Sequence, residues 1–174
     1  MTALCAIAIG EAQPAPAVAN PGSAPAAGPC AGPQFRQFDF WIGHWTVRRP
    51  DGLPAGTNLI TSEEGGCAIV EHWASANGGT GQSLNFFDPA SGRWRQVWVG
   101  LGLLLTMEGG LTDGAMVLEG PLQYLDPGRV TRLRGVWTAL PDGRVRQQFH
   151  ESDDGGTTWK LWFDGYYSRT GAAD

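Results

Sequence analysis

From Phe38 onward, apolar and polar positions alternate with a period of two, in short runs broken by turn residues. From Arg93 to Val99, Trp94, Gln96 and Trp98 share one face and Arg93 and Arg95 the other. From Thr131 to Thr138, Leu133 and Trp137 oppose Arg132 and Arg134. From Arg144 to Glu151, Val145, Gln147 and Phe149 oppose Arg144, Arg146 and His150. From Thr158 to Ser168, Trp159, Leu161, Phe163 and Tyr167 oppose Lys160 and Asp164. The arginines thus mark an outer face. Applied to Cys67 through Trp73, the same rule puts the charged Glu71 outside, which places Val70 and His72 inside and leaves Trp73 facing out.

Turn signals punctuate these runs at Pro50-Asp51-Gly52, Gly65-Gly66, Asn77-Gly78-Gly79, Asp88-Pro89, Gly109-Gly110, Asp113-Gly114, Asp126-Pro127-Gly128, Asp142-Gly143 and Asp154-Gly155-Gly156. The segments between them have strand length, and no segment has a helical period. The spacing predicts an all-β fold: an antiparallel up-and-down β-barrel of about ten strands, closed so that no edge is left exposed. Leu103-Leu104-Leu105 is expected to be a core strand, preceded by the apolar loop Gly100 to Gly102.

The inward face is mostly Trp, Leu, Val and Phe, and it also carries His72, Gln96 and Gln147. An orphaned buried polar group costs about 1–3 kcal/mol, so these must bond one another, a trapped water or a ligand. Together with Trp98, Trp137 and Phe149 they are the expected ligand-binding residues, with His72 and the two glutamines at the polar end of an apolar pocket.

Composition narrows the setting. The chain has 174 residues, 42% hydrophobic and 17% charged, which fits one globular domain. A net charge of −5 argues against nucleic acid or an anionic membrane as the main partner. No run is long enough to span a bilayer as a helix. Residues 1–34 read as a signal remnant followed by a disordered Ala/Pro-rich arm, with Ala17-Val18-Ala19 as a cleavage site and the export signal starting upstream of Met1. Residues 35–174 are the barrel domain. A periplasmic or secreted location follows, in which Cys5 leaves with the signal and Cys30 and Cys67 form a disulfide. His44, His72 and His150 lack metal-ligand spacing, so neither metal nor cofactor is expected. There is no G-x-S-x-G nucleophile elbow.

Two motifs resemble known families. Gly43-His44-Trp45, a G-x-W triplet within Phe38 to Val47 (FDFWIGHWTV), resembles the opening signature of lipocalins and related calycin barrels. The resemblance implies that Trp45 closes one end of the barrel and that Arg169, on the last strand, stacks over it as a structural lid. FDFWIGHW, Gly65-Gly66-Cys67, Leu84 to Pro89 and RWRQVWV together resemble uncharacterised, often exported, bacterial lipocalin-like proteins that open with Phe-Trp-x-Gly-x-Trp. That pattern usually has an acidic residue at position 44, where this chain has His44, and it carries no established catalytic residues. Ser152 to Trp159 is similar to the Asp-box of sialidases, S-x-D-x-G-x-T-W. One copy implies a structural hairpin, with Asp154 bonding turn amides and the Trp packed below.

The leading expectation is a barrel that binds a small hydrophobic molecule. The alternatives are an enzyme (isomerase, cyclase or hydrolase) using His72 as general base, a haem-binding barrel resembling nitrobindin, and a solid-core structural domain. No His follows His150, which weighs against the haem reading.

Overall fold

A computed structural model describes residues 28–171 of the chain. The expectations for the signal remnant and most of the arm lie outside the described residues. The remainder is an all-β protein: ten antiparallel strands closed into an up-and-down barrel. The strands are β1 Gly43–Arg48, β2 Pro54–Glu63, β3 Ala68–Ser75, β4 Thr80–Asp88, β5 Arg93–Gly100, β6 Leu103–Thr112, β7 Ala115–Tyr124, β8 Val130–Ala139, β9 Val145–Ser152 and β10 Lys160–Arg169. Each strand pairs with its neighbours in sequence, and β1 pairs with β10 to close the ring. Closure leaves no unpaired edge to template association.

The expected turns join these strands, with two corrections. Gly109-Gly110 is not a turn but lies inside β6. A Cβ at Gly109 would meet the Val117 carbonyl oxygen at 2.0 Å, so this glycine serves the close approach of β7. The β6–β7 hairpin turns instead at Asp113-Gly114, both at positive φ (50° and 81°), the conformation a two-residue hairpin favours. The second correction concerns β10. Its register shifts between Leu161 and Phe163, so two residues there oppose one on β9. The shift turns Leu161 outward while Phe163 and Tyr167 remain on the inner side. Trp159 precedes the strand and packs beneath the Arg134 guanidinium, 4.2 Å from its ring centroid.

One end of the barrel is packed shut. Short 3₁₀ turns at Pro33–Arg36 and Asp39–Trp41 lay Phe38 and Trp41 against it. Phe38 stacks on Trp41 and meets Trp94 and Trp137 edge-on, with ring centroids 4.9–5.6 Å apart. Trp45, fully buried, donates its indole N–H to the Trp41 carbonyl at 2.9 Å. Arg169 lies over the Trp45 ring at 4.2 Å. A Cys30–Cys67 disulfide, with Cα atoms 5.0 Å apart, ties the N-terminal segment to the β2–β3 connection at this end. Arg36 also donates to the Gly66 carbonyl there. With this end filled, any ligand space must lie toward the β1–β2, β3–β4, β5–β6, β7–β8 and β9–β10 connections.

Candidate functional site

That opposite half of the barrel encloses a cavity of about 270 Å³. Leu103 and Leu105 from β6, Leu122 from β7, Leu133 from β8, Phe149 from β9 and Phe163 from β10 form its apolar wall. Trp73, Trp98 and Trp162 add indoles, and Arg49, Ala55, Asn77 and Leu101 stand at the mouth. The indoles reach in because small residues stand opposite them. A Cβ on Gly81 would come within 2.1 Å of the Trp98 ring, and one on Gly56 within 2.7 Å of the Trp73 ring.

The floor is polar. Glu71, Gln96, Gln147 and Tyr167 line it and connect, through Asn58, Ser83 and Asn85, into one buried network. Asn58 Nδ2 donates to Glu71 Oε1 at 2.7 Å, and Ser83 Oγ donates to Glu71 Oε2 at 2.6 Å. Asn85 Nδ2 donates to the Ile69 carbonyl at 3.0 Å and to Ser83 Oγ at 2.9 Å. Gln96 Nε2 donates to Asn85 Oδ1 at 2.6 Å, and the Tyr167 hydroxyl donates to Gln147 Oε1. Asn58 Oδ1 is buried without a partner.

Electrostatically the floor is isolated. Glu71 is 5% exposed, and burial pushes its carboxyl above the ordinary 4.5, against the smaller opposing effect of the Ser83 and Asn58 hydrogen bonds. Burial, then the neighbouring Glu71 charge, pushes the Tyr167 phenol well above 10. Among the described residues Glu71 forms no ion pair, whereas Asp88, Glu108, Glu119, Glu151 and Asp164 all meet arginines.

Gln96, Gln147, Trp98 and Phe149 therefore meet on one cavity. Trp137 does not reach it; it is fully buried in the packed end, edge-on to Phe38 and Phe149. His72 is the principal correction. It lies exposed on the outer face of β3, and Glu71 and Trp73 point inward in its place. The rule that charges face solvent gave way because β2 and β4 supply Asn58 and Ser83 as hydrogen-bond donors to the carboxylate. His44 is likewise exposed, and His150 pairs in register with Arg134 on the outer wall. Among the described residues no histidine thus faces the interior as general base or axial ligand. The signal that finds Glu71 is its neighbour: Trp73 shares its phase with Ile69 and Glu71, and turning Ile69 and a half-buried indole inward outweighs one hydrogen-bonded acid.

Asp154 holds the β9–β10 hairpin. Its Oδ1 accepts from the Thr157 and Thr158 amides at 3.0 and 2.8 Å and from the Ser152 hydroxyl at 2.7 Å, and its Oδ2 from the Thr158 hydroxyl at 2.6 Å. These donors hold the Asp154 carboxyl well below the usual range. A second depression, of about 610 Å³, lies on the outer wall beside β6 to β8. Its charged residues already have partners: Arg132 pairs with Glu119, Arg95 with Glu108, and Asp153 with Arg129. Among the described residues no cluster of three or more His, Cys, Asp or Glu side chains is placed to hold a metal ion. No helix in the described residues is long and apolar enough to cross a membrane.

No protein-family model matches this chain, and neither does any curated protein sequence.

Proposed function

We propose that this protein is an exported, lipocalin-like carrier or receptor for a small, mostly apolar molecule held in the cavity above Glu71. The observation that carries this reading is the division of the barrel. One half is filled by aromatic packing, and the other keeps a cavity of about 270 Å³ with apolar walls and polar groups gathered on the floor. Such a combination is typical of small-molecule sites, and the volume is near the lower end of their range, about 300–1,000 Å³. Burial against the leucine and aromatic walls supplies affinity, and Gln96, Gln147 and Tyr167 orient the occupant. The Cys30–Cys67 disulfide supports an oxidising compartment, in keeping with export.

Titration with 2-acetylnaphthalene, an uncharged bicyclic probe, tests the reading. Saturable quenching of indole emission is expected, reduced in Trp98→Phe because that indole borders the cavity, and unchanged in His72→Ala. Absence of saturable quenching would overturn it.

A further inference from the structure

We propose that the occupant of this cavity is an apolar molecule bearing a protonated amine, anchored by the Glu71 carboxylate and surrounded by the aromatic wall. The proposal rests on the ligand-binding reading above and narrows it to one chemical class.

The hydrogen-bond directions fix the form for which the floor is built. Asn85 must present N–H to the Ile69 carbonyl, which can only accept. The same amide nitrogen donates to Ser83 Oγ, while Asn85 Oδ1 receives Gln96 Nε2. Ser83 therefore already accepts, and its single proton goes to Glu71 Oε2. Asn58 Nδ2 donates to the other oxygen, Oε1. Both oxygens of Glu71 receive donors, an arrangement suited to a carboxylate rather than to a carboxylic acid that must itself donate.

A buried carboxylate with hydrogen bonds but no cation is costly. No arginine, lysine or histidine forms an ion pair with Glu71 among the described residues. Arg49 is the single basic residue on the lining; it stands half-exposed at the mouth and pairs with Asp51 at 3.2 Å. The missing countercharge is thus left to the cavity's occupant. The cavity wall also carries Trp73, Trp98, Trp162, Phe149 and Phe163, and aromatic rings of this kind attract a cation. An anionic ligand would meet Glu71 without compensation. A neutral ligand would gain the walls but leave the charge unpaired.

Calorimetric titration of the full chain at neutral pH, with 2-phenylethylamine, 2-phenylethanol and 3-phenylpropanoate, tests this. The three share a ring and a short chain and differ in charge. The amine should bind about thirtyfold or more tightly than the alcohol, the scale expected for pairing a buried charge, and the carboxylate should not bind. Glu71→Gln should remove the advantage of the amine while leaving alcohol affinity near its wild-type value. Alcohol binding as tight as the amine in the wild type, which needs no variant to fold, would overturn the amine assignment and leave the apolar-site reading standing. So would saturable binding of 2-acetylnaphthalene without measurable amine binding. If none of these compounds binds, the ligand-binding reading fails and takes this proposal with it.

Discussion

Replacing Trp45 with alanine tests the packed end of the barrel. Its indole is fully buried, donates to the Trp41 carbonyl at 2.9 Å, meets the Tyr167 ring edge-on at 6.2 Å and lies beneath Arg169. Truncating a buried Trp typically costs about 3–5 kcal/mol through lost transfer energy and the cavity left behind. The upper half of that range is expected here, because the buried Trp41 carbonyl loses its side-chain donor as well. Against a total stability of about 5–15 kcal/mol this is a large fraction. At about 2–4 °C per kcal/mol, it corresponds to a fall in Tm of roughly 8–20 °C. Arg169→Ala should cost only about 0.5–2 kcal/mol, because its guanidinium is exposed and contributes mainly the cation–π contact. Urea unfolding of both single variants and the double variant gives the coupling directly: the Arg169 contribution should vanish once the indole is gone. A Trp45→Ala cost below about 1 kcal/mol, or an Arg169→Ala cost equal to it, would refute this account of the closed end.

Other perturbations address the floor, the staple and the wall. Because burial raises the Glu71 carboxyl above 4.5, the ligand-free barrel keeps a proton there across a pH window above 4.5 in which the unfolded chain has already released it, and the carboxylate forms above that window. Stability from this group is therefore lost as pH rises from 4.5 through the folded value, and Glu71→Gln should gain on the wild type across that window; parallel stability–pH curves would contradict it. Converting Cys30 and Cys67 to serine releases a connection spanning 37 residues, which should cost about 4 kcal/mol in the chain-entropy model, measured by urea unfolding; a loss under about 1 kcal/mol would show that the staple is dispensable. Gly81→Ala places a methyl within 2.1 Å of the Trp98 ring and should push the indole into the cavity, weakening 2-acetylnaphthalene binding severalfold; unchanged affinity would remove Trp98 from the wall.

Much of this architecture is legible in the sequence because arginines label the outer face of β5, β8 and β9, and burial alternates along β5 and β8 and through the first half of β9. Gln96, Gln147 and Phe149 follow from that phase. Alternation misleads where a side chain's surroundings come from other strands. Glu71 is interior because Asn58 on β2 and Ser83 on β4 bond it, and within β3 the one sign of this is the phase it shares with Ile69 and Trp73. Leu161 misleads for another reason: the register shift in β10 inverts the phase within two residues. Trp137 has the correct phase but the wrong height, since alternation orders faces and carries no information on distance from the plug formed by Phe38 and Trp41.

The central claim is that the open half of the barrel receives a ligand. Ala55 stands on the cavity lining at the mouth, where β2 begins, away from the floor network and the packed end. Ala55→Trp should therefore block the cavity while sparing the core. Fluorescence titration of 2-acetylnaphthalene should show saturable one-to-one binding to the wild type and none to Ala55→Trp, with both proteins unfolding at similar urea concentrations. Equal binding to the two proteins would place the probe elsewhere and contradict the account.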